Sequence, residues 1–212
     1  MKKSIFHYAL GLMNNQNEGS LLKSLDNVHH KGLFSLVIGG NENGSLTRVF
    51  IATKKIKMSA IQLHSHTYDL SIGVIKGEFM HHTAMQLGYG AVGASSINLD
   101  KYRYRSPLNG GNGLEFLENA TYFVQSSNIP EGGEVLLSHT DIHSVSVSKG
   151  TMWVLQEHGF KTHESIVLGR KFITDGLYTM PKQYQVNDMW QKVYTSLKKL
   201  THGQEQNDES SD

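Results

Sequence analysis

The sequence predicts an all-β protein, built as one antiparallel β-barrel with helical segments at its two ends. Short runs rich in Val, Ile, Leu, Phe and Thr alternate with turns, and most of the 21 glycines fall between these runs. Only three prolines interrupt a chain of 212 residues. Glycine-containing turns between short apolar runs are typical of strands joined by tight connections.

The helical segments are predicted from apolar spacing at each end. At the N-terminus, residues 1–30 contain this spacing either within Ser4–Met13 or within Ser20–Val28. At the C-terminus, residues 184–203 are expected to form a helix whose apolar stripe covers either its own barrel or that of a neighbour, which leaves a homodimer open. The stripe consists of Met189, Trp190, Val193, Leu197 and Leu200.

The barrel is expected to occupy residues 31–183, and residues 204–212 are expected to form a disordered acidic tail because they lack large apolar side chains. The stretch from Leu87 to Leu117 is glycine-rich and remains unassigned. The predicted strands are Leu33–Ile38, Leu46–Ala52, Ser59–His66, Leu70–Ile75, Glu78–Met85, Thr121–Gln125, Glu134–Ser138, Ser144–Val147 and Met152–Glu157.

Composition excludes several classes of function. The absence of cysteine removes disulfide scaffolds, thiol nucleophiles and thiolate metal sites. With 20 basic and 19 acidic side chains, the chain has no global charge to attract nucleic acid or a membrane surface. No apolar run is long enough for a membrane span, and the N-terminus lacks a signal-peptide cleavage site, so we expect a cytoplasmic protein. The 12 histidines leave imidazole as the main candidate metal ligand.

Three histidines are spaced as metal ligands. His64 and His66 lie two residues apart, so on a strand both imidazoles would project from one face. His143 follows a polar turn at the start of another apolar run and is the leading third ligand. A lone pair of this kind is more often a pair of surface histidines on an edge strand. Gly77, which closes the strand after His66, favours the metal site in this chain.

These residues resemble the cupin superfamily. Its first motif, G(X)5HXH(X)3-4E(X)6G, is matched by His64, His66 and Gly77, and its second, PXG(X)2H(X)3N, by His143. The glutamate position of the first motif is Leu70, or Ser71 for the longer spacing. The resemblance covers about residues 33–160 and implies a double-stranded β-helix, or jelly roll.

The missing glutamate and the segment around His143 are similar to the thiol dioxygenase branch of cupins, which includes cysteine dioxygenase. That branch holds Fe(II) with three histidines and no carboxylate. The resemblance therefore implies an Fe(II) dioxygenase that oxidises a small polar substrate with O₂. The same ligands suit Zn, Mn or Ni, and with Zn they would support a hydrolase or lyase. A non-catalytic cupin that binds a metabolite or a protein is the third interpretation.

Four further residues are candidates for substrate binding. In the thiol dioxygenase pattern an arginine on an earlier strand anchors the substrate carboxylate, and Arg48 has this position; a solvated strand arginine is the alternative. Gln62 shares a strand face with the His pair, whereas Tyr68 and Trp153 are expected in the pocket wall or the barrel core.

The adjacent histidines His81 and His82 are further candidates on a predicted strand. Because neighbouring strand residues point to opposite faces, only one of the two can face inward, where it would contact a ligand or the substrate.

Overall fold

The computed structural model describes residues 4–15, 23–26, 28, 30–40, 44–58, 61–88, 96–107, 110–169, 182–183 and 187–209. The predicted all-β class is confirmed, because these residues form two antiparallel sheets and two helices. The elements are α1 (Ile5–Asn14), β1 (Leu25–Asp26), β2 (Leu33–Gly40), β3 (Leu46–Ala52), β4 (Leu63–His64), β5 (Tyr68–Lys76), β6 (Phe79–Gln86), β7 (Ser96–Arg105), β8 (Gly113–Ile129), β9 (Glu134–Leu137), β10 (Ile142–Val147), β11 (Met152–Phe160), β12 (Ser165–Gly169), β13 (Lys182–Gln183) and α2 (Asn187–Glu209).

The strands are divided between two sheets. The large sheet has seven strands in the order β13-β1-β2-β3-β11-β5-β9. The small barrel closes six strands in the order β10-β4-β12-β7-β8-β6. Strand β7 and the start of β8, which pair as a hairpin, lie within the stretch from Leu87 to Leu117 that the sequence pattern does not assign.

Side-chain alternation gives the large sheet two apolar faces. On β3, Phe50 packs with Trp153 of β11 in a central cluster between the large sheet and strands β6 and β10. Val49 and Ile51 point to the other face, where they pack under the two helices. Both faces are covered at the centre of the sheet, so the buried parts of β2, β3, β5 and β11 are largely apolar. The polar exceptions on the inner face are therefore candidates for function.

The N-terminal helix corresponds to the first of the two predicted windows. Ser4 caps α1 by accepting a hydrogen bond from the Phe6 backbone N–H at 3.2 Å, and its hydroxyl donates to Glu134 of β9 at 2.9 Å. Phe6 and Ala9 are fully buried against the large sheet. In the second window, residues 25–26 form strand β1 instead of a helix.

The C-terminal helix packs beside α1 on the outer face of the large sheet. Val193 and Leu197 are fully buried in the cluster beneath α1 and α2. The predicted disordered tail is wrong for residues 204–209, because α2 continues to Glu209. Gln204, Glu205 and Gln206 are good helix formers, so they extend a helix already fixed by packing. Neither helix within the described ranges has an apolar stretch that would span a membrane.

Gly77 makes the sharp turn between the large sheet and the small barrel. Its φ is +91°, and a Cβ at this position would lie 2.6 Å from Thr151 Oγ1 and 2.8 Å from Thr151 Cα. Gly150 has the same φ, yet a Cβ there would meet no atom within 4 Å.

The two glycines therefore separate backbone strain from steric conflict. We expect Gly150→Ala to lower the free energy of unfolding by about 1–2 kcal/mol, the cost of a left-handed conformation. Gly77→Ala carries this cost and the clash with Thr151, so its loss should be clearly larger. Urea denaturation of both variants measures the difference, and equal losses would show that the contact with Thr151 relaxes without cost.

Candidate metal centre

Pairing between strands brings His64 and His143 together. His64 of β4 lies directly opposite His143 of β10 in the antiparallel register. Directly opposed residues project from the same face of a sheet, within contact distance. Leu63, the neighbour of His64 in the strand, points to the opposite side and packs in the cluster inside the small barrel. The two imidazole centroids are 5.5 Å apart.

The ring of His66 lies beside those of His64 and His143, although His66 itself follows the end of β4. The predicted strand Ser59–His66 is too long: of its residues 61–66, β4 contains only Leu63 and His64, and residues 59–60 lie outside the described ranges. Beyond it, Ser65 exchanges two hydrogen bonds of 2.8 Å with Ile166 of β12, one through its backbone and one through its hydroxyl. The His66 backbone N–H then donates to the His139 carbonyl at 3.2 Å. These contacts position the His66 ring centroid 4.7 Å from that of His64.

The three-His cluster predicted from the sequence is confirmed. One ring nitrogen from each of His64, His66 and His143 lies within 4.8 Å of the others. The Nε2 atoms of His66 and His143 are 2.8 Å apart. His143 is 4% exposed, whereas His64 and His66 are half-buried, so the cluster is accessible from one side.

The donor set fits a divalent transition metal. His64 Nδ1 is 2.7 Å from the Gln62 carbonyl, which can only accept, so Nδ1 carries the proton and Nε2 the lone pair. Desolvation lowers the pKa of His64. Burial also holds the pKa of His143 well below its usual range, and the imidazoles of His64, His66 and His81 lower it further. Neutral imidazoles are the form that binds Fe, Zn or Ni.

His81 and His82 face different surroundings, as strand alternation requires. His81 is 5% exposed, and its Nε2 lies 3.0 Å from Nδ1 of His143. His82 is held on the other face by Ser126 and Ser146, each at 2.7 Å. The sequence showed that one of the two would face inward, and the fold determines that it is His81.

Arg48 projects from the inner face of β3 into a polar cluster. Its Nε lies 3.4 Å from Glu157 Oε1, and its Nη1 lies 3.4 Å from Ser35 Oγ. Glu157 also accepts a hydrogen bond of 2.9 Å from the Leu46 backbone. The side chains of the ion pair are 22% and 13% exposed, so Arg48 is not a solvated strand arginine.

The other predicted substrate residues occupy three different settings. Trp153 is 4% exposed, stacks on Phe50 at 5.3 Å and meets Phe79 edge-on at 5.4 Å, which makes it part of the central cluster between the sheets. Tyr68 is half-buried, and both desolvation and the charge of Glu157 raise its pKa. Gln62 touches the metal centre through its carbonyl, which binds His64.

An ion-pair cluster supports the loop that carries His139. Asp69 accepts hydrogen bonds from the His139 backbone at 2.8 Å and from its ring at 3.0 Å. Lys161 lies 3.3 Å from the same carboxyl group. These partners lower the pKa of Asp69 to about 2, the His139 backbone contributing most. Because the His139 carbonyl accepts from the His66 backbone, this cluster helps to hold His66 in place.

No protein-family model and no curated protein sequence matches this chain. Solved structures match it at low similarity. One is hydroxypropylphosphonic acid epoxidase from S. wedmorenis, with a TM-score of 0.39 and 9% identity over 68% of this chain. The chain spans about 62% of the length of that epoxidase. Another is hydroquinone 1,2-dioxygenase PnpCD, in complex with Cd²⁺ and 4-hydroxybenzonitrile, with a TM-score of 0.34 and 13% identity over 76% of this chain and 78% of the other. Similarity this low supports no conclusion about function, so the candidate metal site rests on the geometry of the three histidines.

Proposed function

We propose that this protein is a metal-dependent oxygenase that binds Fe(II) through His64, His66 and His143 and uses O₂ to oxidise a small polar substrate. The observation that carries the proposal is the convergence of three imidazole nitrogens within 4.8 Å of one another. An all-imidazole set leaves the charge of a divalent metal uncompensated by its ligands, which favours an anionic or chelating substrate. Fe(II), when bound there, supplies the redox chemistry that activates O₂.

The chain's own residues orient the ligands and limit access of water. The Gln62 carbonyl fixes the ring of His64 through Nδ1. The aromatic side chains of Phe50, Phe79 and Trp153 pack together in the central cluster between the sheets. This apolar cluster would shield reactive species from bulk water.

We further propose that the substrate carries a carboxylate or a similar anionic group and that Arg48 binds it. Both described hydrogen bonds of Arg48 are 3.4 Å long, near the limit for such bonds, so a carboxylate would compete well for its donors. Tyr68 would contribute a phenol beside the same polar cluster, Gln62 would line the approach to His64, and Trp153 would form the apolar wall.

Oxygen consumption tests the oxygenase proposal. The full chain, loaded anaerobically with Fe(II), is mixed with small thiols, hydroxy acids and diketones, and O₂ uptake is followed with an electrode. We expect uptake that requires both Fe(II) and one substrate class, and that is lost in His64→Ala. The Zn-loaded protein is the matched control and should consume no O₂.

Two other outcomes would replace the proposal. Hydrolysis or elimination catalysed by the Zn-loaded protein, with no O₂ uptake by the Fe(II) form, would indicate a zinc enzyme on the same ligands. Failure to retain any divalent metal would indicate a non-catalytic binding protein.

A further inference from the structure

The ring nitrogen of His143 that faces away from the other two ligands has a partner of its own. His143 Nε2 faces His66, and its Nδ1 lies 3.0 Å from His81 Nε2. In the register of β6 and β10, His81 is opposite Val145 and His143 is opposite Thr83, so the two histidines are diagonal neighbours. Diagonal cross-strand neighbours are within reach of long or aromatic side chains. His81 therefore contacts His143 on the side that faces away from His64 and His66.

The direction of this hydrogen bond determines what His143 can do. A neutral imidazole carries one proton, on either Nδ1 or Nε2. If His143 Nδ1–H donates to His81, its Nε2 keeps the lone pair that a metal requires. If His81 Nε2–H donates instead, the proton of neutral His143 lies on Nε2, and this nitrogen cannot bind a metal. One buried contact thus separates a competent ligand from an incompetent one.

We infer that His81 is a positioning residue, which accepts the hydrogen bond from His143 Nδ1–H and so directs the Nε2 lone pair of His143 into the three-His cluster. The inference rests on the proposed metal site. The Gln62 carbonyl has the same role for His64, where only one direction of the bond exists. Metal-binding histidines generally donate their second ring N–H to a carboxylate, a carbonyl or water, and loss of such a partner weakens metal binding. In this chain the acceptor is the imidazole of His81.

The wild-type protein provides a direct test. Imidazole nitrogen chemical shifts, measured by NMR on the full chain before and after addition of Zn²⁺, report which ring nitrogen carries the proton. We expect His143 to carry its proton on Nδ1 in both states and His81 to show an unprotonated Nε2. A proton on Nε2 of His143 with a protonated Nε2 of His81, or a Zn²⁺-loaded state with His143 bound through Nδ1, would overturn the inference.

Substitutions measure the size of the effect. His81→Leu removes the acceptor, and we expect Zn²⁺ affinity to fall by about 10–100-fold, as for other supporting partners of metal ligands. His81→Gln keeps a side-chain acceptor and should recover much of the loss. His82→Leu is the matched control, because His82 is also buried on β6 but binds Ser126 and Ser146. Its Zn²⁺ affinity should stay within a few-fold of wild type.

The comparison with His143→Ala separates the two proposals. If His143→Ala binds Zn²⁺ as tightly as wild type, the three-His site itself is wrong. If His143→Ala loses Zn²⁺ while His81→Leu binds it normally, the site stands and the role of His81 is wrong. If His81→Leu does not fold, the NMR measurement on the wild-type chain decides the question.

Discussion

Replacement of His143 by alanine is expected to abolish stoichiometric binding of divalent metal. His143 is the most buried of the three ligands and lies opposite His64 across the β4–β10 pair, so no solvent-exposed side chain can readily take its place. Loss of a direct ligand should weaken binding by more than the about 10–100-fold expected for loss of a supporting hydrogen bond. Metal analysis of the purified protein after dialysis measures the effect.

His163→Ala is the matched control for this experiment. His163 lies on the surface, packed against Phe160, and its removal should leave the metal content unchanged. The His143→Ala variant must also unfold cooperatively, which shows that metal is lost through the ligand and not through the fold. Metal retention by His143→Ala equal to that of wild type would refute the three-His site.

Replacement of Trp153 by alanine is expected to give the largest loss of stability. Trp153 is 4% exposed and contacts Phe50 and Phe79, so it joins the large sheet to strand β6 of the small barrel. Truncation leaves a cavity in a region that both sheets cover, and such changes typically lower the free energy of unfolding by about 3–5 kcal/mol. Denaturation in urea, monitored by circular dichroism, measures the change.

Phe116→Ala is the control for the loss of an aromatic side chain as such. Phe116 is 57% exposed on β8, where it meets Tyr102 edge-on, and its truncation should change stability by only about 0.5 kcal/mol or less. If Trp153→Ala were as stable as Phe116→Ala, the indole would not be a core side chain.

The sequence was sufficient to predict the parts of this protein that depend on local pattern. Apolar alternation and glycine turns indicate the all-β class because they follow from the two-residue period of a strand. Val193 and Leu197 mark the buried face of α2 because helical spacing repeats on one side. His64, His66 and His143 were predicted as one cluster from spacing, chemistry and resemblance, because residues two apart on a strand share a face. Local pattern failed at residues 204–209, where packing upstream sustains a helix that composition alone does not predict.

Tertiary structure decided which side chains meet. The sequence could not choose between His81 and His82, because the choice depends on which face of β6 turns toward β10. Nor could it show that Arg48 pairs with Glu157, 109 residues away, or that His66 is held by the His139 carbonyl beyond the end of β4. These contacts depend on strand register, which hydrogen bonds between distant segments establish. The sequence thus determined the fold class and the three histidines of the cluster, whereas the register of the folded sheets determined the surroundings that orient them.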